Sequence, residues 1–203
     1  KVIPDYPPYG KRMLMDNNWF EMLKKENVNL ITDKINYINQ NSIITNNNSY
    51  NIDAIVTATG FNAGKMIWPI EVLGKNGTNL NDYWEDDNPR AHIGITVPNF
   101  PNFFMMYGPN TNLAHGGSIV FQGECQIRYI LGCINLLLEK NYNNMDCKTE
   151  SYIKYNTKLD EQHAQMVWTH NKVDSWYRNK AGRVTTNSPW RLVDYWNFTK
   201  EPK

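Results

Sequence analysis

Apolar and polar positions divide the chain into an alternating first part, a loop-rich middle and a helical last part. Asp16 is placed to cap a helix running to about Lys25, with Trp19, Phe20 and Leu23 on its buried side. Short β-like runs follow at Val28–Thr32, Ile35–Ile38, Ser42–Thr45 and Asp53–Ala58, and the polar break Asn46-Asn47-Asn48 suits a hairpin tip. Gly64, Pro69, Gly74, Gly77 and Pro89 then break up Gly64–Pro98, leaving room for one small helix near Leu80–Glu85. Phe103–Tyr107 reads as a buried strand ending in Gly108-Pro109, and the loop Asn110–Gly117 opens a long helix, Ser118–Lys140, with Ser118 as cap. Within that helix Gln122, Glu124, Gln126 and Arg128 interrupt the apolar run. The pattern predicts a buried helix with one polar stripe, not a membrane span. Glu124 and Arg128 stand four apart, as in an ion pair on one helix face. A further helix is expected over Glu150–Asn171, and the aromatic tail Ser175–Pro202 is expected to be irregular. A helix followed by short strands fits the end of a dinucleotide-binding domain closed by Asp53–Ala58, which gives an α/β fold class.

Composition narrows the function classes. Of 203 residues, 41% are hydrophobic and 20% charged, an ordinary globular balance. The net charge of +1 offers no electrostatic footprint for nucleic acid or an anionic membrane, so neither is expected as a partner. The 3 cysteines, Cys125, Cys133 and Cys147, form no CxxC pair, which argues against a disulfide framework or a zinc site and makes a reducing, cytoplasmic compartment the default expectation. The stretch opening at Lys1 carries no cationic start with an apolar run behind it, hence no signal-peptide pattern, and a partial or trimmed sequence is expected.

Four segments can carry chemistry. In Pro4–Gly10 the prolines fix the backbone and Gly10 frees it, just before the adjacent cations Lys11 and Arg12. Such a pair suits an anionic ligand, with Arg as a planar fork and Lys as a mobile point charge, but on spacing alone a solvated basic pair is the commoner reading. Ile55–Phe61 runs an apolar segment into Thr59-Gly60, where backbone can approach a cofactor closely or simply end a strand. Tyr107–Ser118 forms a strand–loop–helix junction that aims N–H groups and a positive helix end at whatever lies above, and an ordinary glycine loop has the same pattern. In Ser175-Trp176-Tyr177-Arg178 the indole can wall a pocket or pack in a core. The chain has no HExxH, GxSxG or Walker A motif, and no GxGxxG, since no two glycines stand two apart.

Taken in order, Tyr6-Pro7-Pro8-Tyr9-Gly10-Lys11-Arg12, Ala58-Thr59-Gly60-Phe61, Gly108-Pro109-Asn110-Thr111-Asn112-Leu113 and Ser175-Trp176-Tyr177-Arg178 resemble the C-terminal part of class I Baeyer–Villiger monooxygenases. Glu124–Ile130 and Leu192–Trp196 add a likeness to the 4-hydroxyacetophenone monooxygenases among them. The resemblance implies a partial two-dinucleotide-binding, Rossmann-like flavoprotein fold, with residues 1–58 ending an NADPH-binding domain and residues 59–203 ending an FAD-binding domain. It implies FAD and NADPH as cofactors, O₂ and a ketone as substrates, an ester or lactone as product, and a homodimer. By the same resemblance Arg12 would be catalytic, stabilising the anionic oxidant formed at the flavin and its adduct with the ketone. Lys11 would bind the NADPH 2′-phosphate, Trp176 would wall the nicotinamide and substrate region, and Thr59, Gly60, Asn112 and Leu113 would lie near the flavin. The family's glycine fingerprints and its FxGxxxHxxx(W/P) motif are not in this chain, so a missing N-terminal part of the same enzyme is an implied partner. An N- or S-oxidising flavin monooxygenase and a truncated non-catalytic domain are the alternative readings.

Overall fold

A computed structural model describes residues 1–85 and 87–202. The chain forms two compact units, one of Lys1–Asp5 with Leu14–Phe61, the other of Tyr6–Met13 with Asn62–Lys203.

The first unit holds helix α1 (Trp19–Met22) and strands β1 (Ile35–Ile38), β2 (Ser42–Thr45) and β3 (Ser49–Asn51), which pair as an antiparallel meander in the order β1-β2-β3. Side chains set both turns. Asn39 Oδ1 accepts from Asn41 N and Ser42 N at 3.0 and 2.7 Å, while Thr45 Oγ1 accepts from Asn48 N at 3.0 Å and so closes the expected Asn46–Asn48 tip. Of the runs read as strands, Ile35–Ile38 and Ser42–Thr45 form as expected. Val28–Thr32 and Asp53–Ala58 do not: both stay outside any ladder, and Val56 is 90% exposed. An apolar run becomes a strand only where a neighbour offers its hydrogen bonds, and neither segment has one among the described residues. The helix expected over Asp16–Lys25 shrinks to α1, where Asp16 Oδ1 accepts from Trp19 N at 2.6 Å, yet Trp19 and Phe20 lie open instead of buried.

The second unit carries the cores. Helix α2 (Leu80–Tyr83) buries Leu80 with Trp84, Val97 and Phe100. Helix α3 (Ile119–Glu139) starts where its sequence places it, with Ser118 Oγ accepting from Phe121 N at 3.3 Å. Its orientation overturns the expected pattern. Gln122 and Gln126 are each 1% exposed, whereas Val120, Ile127, Leu131 and Leu138 are 48–74% exposed. The glutamines point inward because each has a backbone group to satisfy there: Gln126 Oε1 accepts from Tyr107 N at 3.0 Å and Gln122 Nε2 donates to Thr111 O at 3.2 Å. Arg128 forms no ion pair with Glu124; it donates to Trp196 O at 2.7 Å and lies 4.8 Å over the Trp196 ring.

Helix α4 (Thr149–His163) stops short of Asn171, because Val167–Thr169, two β-branched residues around Trp168, form a separate 3₁₀ turn that buries the indole with Tyr177 and Val184. The tail is not irregular throughout: helix α5 (Leu192–Phe198) buries Tyr195, whose hydroxyl donates to Ile93 O at 2.7 Å. Phe103–Tyr107 forms no strand and only Met105 within it is buried, since left-handed residues at Asn102 and Tyr107 bend the backbone at both ends. Among the described residues no helix is long and apolar enough to cross a membrane.

Candidate functional site

Gly10 fixes where the two cations stand. Its N–H donates to Pro7 O at 3.2 Å, and a Cβ there would fall 2.5 Å from Val173 Cγ2, so only glycine lets the turn close against Val173. Lys11 and Arg12 follow directly. Arg12 Nη1 donates to Leu113 O at 2.9 Å and to Ala114 O at 2.8 Å, more than a hundred residues away in sequence. The guanidinium is held by two neutral carbonyls, while Nε and Nη2 take no partner among the described residues and lie on an exposed side chain. Lys11 Nζ sits 4.8 Å over the Tyr6 ring, which orients the ammonium without neutralising it.

Two tyrosines that the sequence reading did not single out belong to this cluster. Tyr107 takes a left-handed backbone, φ 56°, and its hydroxyl donates to Asn112 Oδ1 at 2.6 Å. Tyr177 is fully buried, and its hydroxyl has no partner among the described residues. Burial pushes both phenols above the ordinary value and the Arg12 charge pulls the other way, so both are neutral groups at neutral pH. Tyr177 was already part of the Ser175–Arg178 motif, and Tyr107 directly precedes Gly108-Pro109, so sequence position marked both but composition gave no reason to choose them.

Asn112 and Leu113 belong to the same loop as the Arg12 acceptors. Asn112 Nδ2 donates to Asn187 Oδ1 at 2.6 Å, so its side chain is committed to holding the loop, and Leu113 offers its carbonyl to Arg12. Trp176 is 48% exposed and packs edge-on against Tyr177 at 4.8 Å. Arg12, Lys11, Asn112, Leu113 and Trp176 thus share the second unit, while Thr59 and Gly60 belong to the first. Both of the latter are exposed; Gly60 has φ +80° and nothing within 4 Å of where a Cβ would be, a backbone open to close approach. His115 lies between Tyr9 and Trp168 at 5.5 and 6.0 Å, which makes it a packing residue of the loop.

The donor set fits FAD and NADPH at the points it can reach. A fixed cation with free N–H groups, an ammonium held over an aromatic ring, a half-exposed indole and the N-terminus of a 21-residue helix all suit an anionic, aromatic dinucleotide. No family model matches the chain. It is 44% identical over 202 residues to y4iD, an uncharacterized monooxygenase of Sinorhizobium fredii, covering 99% of this chain and 30% of that protein. It is 34% identical to the FAD-binding monooxygenase ktnD of Aspergillus niger (96% of this chain, 32% of that one). With a Baeyer-Villiger monooxygenase of Pseudomonas aeruginosa it shares 35% identity (95% and 37%). Among solved structures it matches the OTEMO complex with FAD and NADP at a TM-score of 0.84 and 23% identity, covering 97% of this chain and 37% of that one. It matches cyclohexanone monooxygenase from Rhodococcus sp. Phi1 bound to NADP+ at a TM-score of 0.80 and 26% identity (95% and 37%). The chain spans about a third of the length of the curated relatives it matches, at 30%, 32% and 37% of their lengths. Over that span it has the α/β fold of the FAD- and NADP-binding Baeyer–Villiger monooxygenases.

Proposed function

We propose that this chain is the C-terminal part of an FAD- and NADPH-dependent monooxygenase that inserts one oxygen atom of O₂ beside a ketone carbonyl to give an ester or lactone. Residues 1–58 would end the NADPH-binding domain and residues 59–203 the FAD-binding domain, with the glycine-rich phosphate turns supplied by a preceding part of the same polypeptide. The flavin, reduced by NADPH, supplies the oxygen-activating chemistry. This chain's residues would hold charge and line the space around it. The observation that carries the reading is Arg12, held through Nη1 by the Leu113 and Ala114 carbonyls with its other nitrogens unengaged. A guanidinium stays protonated, so it stabilises negative charge on an attacking oxygen and on the ketone adduct without donating its proton away. By the family resemblance Lys11 would bind the 2′-phosphate as a point charge, Trp176 would wall the nicotinamide and substrate region, and Thr59, Gly60, Asn112 and Leu113 would each serve the flavin. The Glu124–Ile130 and Leu192–Trp196 segments support a finer likeness to the 4-hydroxyacetophenone monooxygenases, and the free cysteines support a cytoplasmic setting.

The test is Arg12→Ala in the longer polypeptide. Flavin reduction by NADPH stays within about twofold while ester formation is lost, because the charge is needed only after hydride transfer. Arg12→Lys rescues poorly, since a point charge cannot keep both carbonyls and still face an anion. Normal ester yield in the Ala variant would remove Arg12 from the mechanism, and oxidation of sulfides but not ketones by the unsubstituted protein would move it to another class of flavin monooxygenase.

A further inference from the structure

Arg12 is exposed, so its position is set by the two carbonyls that hold it, and these belong to a loop without regular structure. What holds the loop is a backbone strap, Val184–Ser188. Asn110 N donates to Thr185 O at 3.0 Å, Asn112 N to Thr186 O at 2.9 Å, and Ser188 N to Asn112 O at 2.8 Å, forming a parallel bridge at Asn112–Asn187. Side chains double each link: Asn110 Nδ2 donates to Val184 O at 2.8 Å, and Asn112 Nδ2 to Asn187 Oδ1 at 2.6 Å. Asn110, Thr111, Thr185, Thr186 and Asn187 are each at most 2% exposed. A buried contact made of polar groups tolerates few alternative arrangements, because each shift leaves a desolvated donor or acceptor unpaired.

The strap is in turn locked to α4. Arg183, just before it, donates through Nη2 to Asn110 Oδ1 at 3.1 Å, through Nη1 to Pro89 O at 3.0 Å and through Nε to Asp160 Oδ1 at 3.2 Å. Asp160 also pairs with Arg90 at 2.7 Å, and one turn on in α4, His163 Nε2 donates to Asn187 O at 3.0 Å. Contacts therefore run without a break from α4 through Arg183, His163 and Asn187 to the loop, and from its Leu113 and Ala114 carbonyls to Arg12. We propose that Arg183 and Asn187 are positioning residues for Arg12: they touch neither substrate nor cofactor, and they fix the direction in which its free nitrogens face. The proposal rests on the oxygenating role assigned to Arg12 above.

The experiment uses the longer polypeptide with Asn187→Ser, which removes the acceptor for Asn112 but keeps the backbone strap. Arg183→Lys is the second variant, should the first fail to fold. Flavin reduction by NADPH is expected to stay within about twofold, while ester formed per NADPH consumed falls by at least about tenfold, as misplacement of a charged group at a reacting centre does. In an Arg12→Lys background, where a residual ester yield can still be measured, either variant costs less than it does with Arg12 in place, because both losses pass through the same side chain. Amide exchange at Asn110 and Asn112 speeds up, while that at Tyr129 in α3 does not. A parallel fall in flavin reduction and ester yield would show a general structural defect and overturn the proposal, as would an unchanged ester yield. Should Arg12→Ala alone retain ester formation, the functional reading fails and the positioning role falls with it. Should only the strap variants retain it, the positioning role alone is wrong.

Discussion

The two compact units are built from similar proportions of apolar residues and treat them in opposite ways. In the second, Leu80, Trp84, Ile95, Leu159, Tyr177 and Tyr195 are at most 3% exposed; Leu80, Trp84, Ile95 and Tyr177 belong to apolar clusters, and Tyr195 is tied by a buried hydrogen bond. In the first, no apolar side chain is buried among the described residues. Ser42 and Thr45 are its buried positions, while Ile35, Tyr37 and Ile38 are 51–60% exposed and Phe61 is 99% exposed. A folded segment that leaves β-forming residues in water lacks the surface against which they would pack. The difference separates a part that carries its own core from a part that leaves its apolar residues open, in a chain spanning 30% to 37% of its relatives' length.

The largest expected contrast comes from replacing one apolar side chain in each unit. Leu80→Ala should cost about 2–5 kcal/mol in urea unfolding of this chain, because it leaves a cavity in a closed cluster. Val56→Asp should change the chain's own stability by no more than about 0.5 kcal/mol, yet destabilise the longer polypeptide by at least about 2 kcal/mol, where a covered carboxylate would be desolvated. Equal effects of Val56→Asp in both contexts would mean that nothing covers the first unit.

The second contrast is in pH. Burial lowers the His163 pKa from 6.5 to about 4, the Nε2 bond to Asn187 O opposing it. The unfolded chain then takes up the proton first as pH falls. The His163 contribution is intact above about pH 6.5 and is lost progressively down to about 4, reaching roughly 3 kcal/mol. Unfolding of the second unit should show this slope, and His163→Gln should flatten it. A slope unchanged in the variant would assign the proton to another group.

Those expectations depend on burial that the sequence shows only in part. The start of α3 was legible because a serine cap precedes a long helical run, and β1 and β2 because alternation and a polar tip bracket them. The facing of α3 was not. Gln122 and Gln126 look like a solvated stripe until the Thr111 carbonyl and the Tyr107 N–H appear opposite them, and backbone groups leave no mark in a sequence pattern. The same limit applies at the site. Lys11 and Arg12 stood out as adjacent cations after a rigid turn, but the Leu113 and Ala114 carbonyls that hold Arg12 could have been any backbone, and the strap at Val184–Ser188 carried no motif at all. Asp53–Ala58 failed as a strand for a related reason: its apolar run specifies a buried neighbour without containing one.

A smaller contrast sets two helix caps against each other. Ser118→Ala should cost about 1 kcal/mol, since it exposes an unpaired N–H at the start of a 21-residue helix that carries the site loop. Asp16→Ala removes only the side-chain acceptor for Trp19 N–H at the start of the four-residue α1, and should stay within about 0.5 kcal/mol. Comparable losses would show that the first unit is packed more firmly than its exposure implies.

The most direct test of the account is the flavin and product content of this chain expressed alone and joined to its upstream coding sequence. Joined, the protein should be yellow and should convert a ketone to an ester carrying one atom from ¹⁸O₂ for each NADPH consumed. Alone, the chain has no glycine turn to cradle a pyrophosphate, and should be colourless, inactive and prone to associate through its exposed apolar residues. A soluble yellow monomer binding FAD with micromolar affinity from this chain alone would contradict the account, as would a joined protein that consumes NADPH and O₂ without oxygenating any ketone.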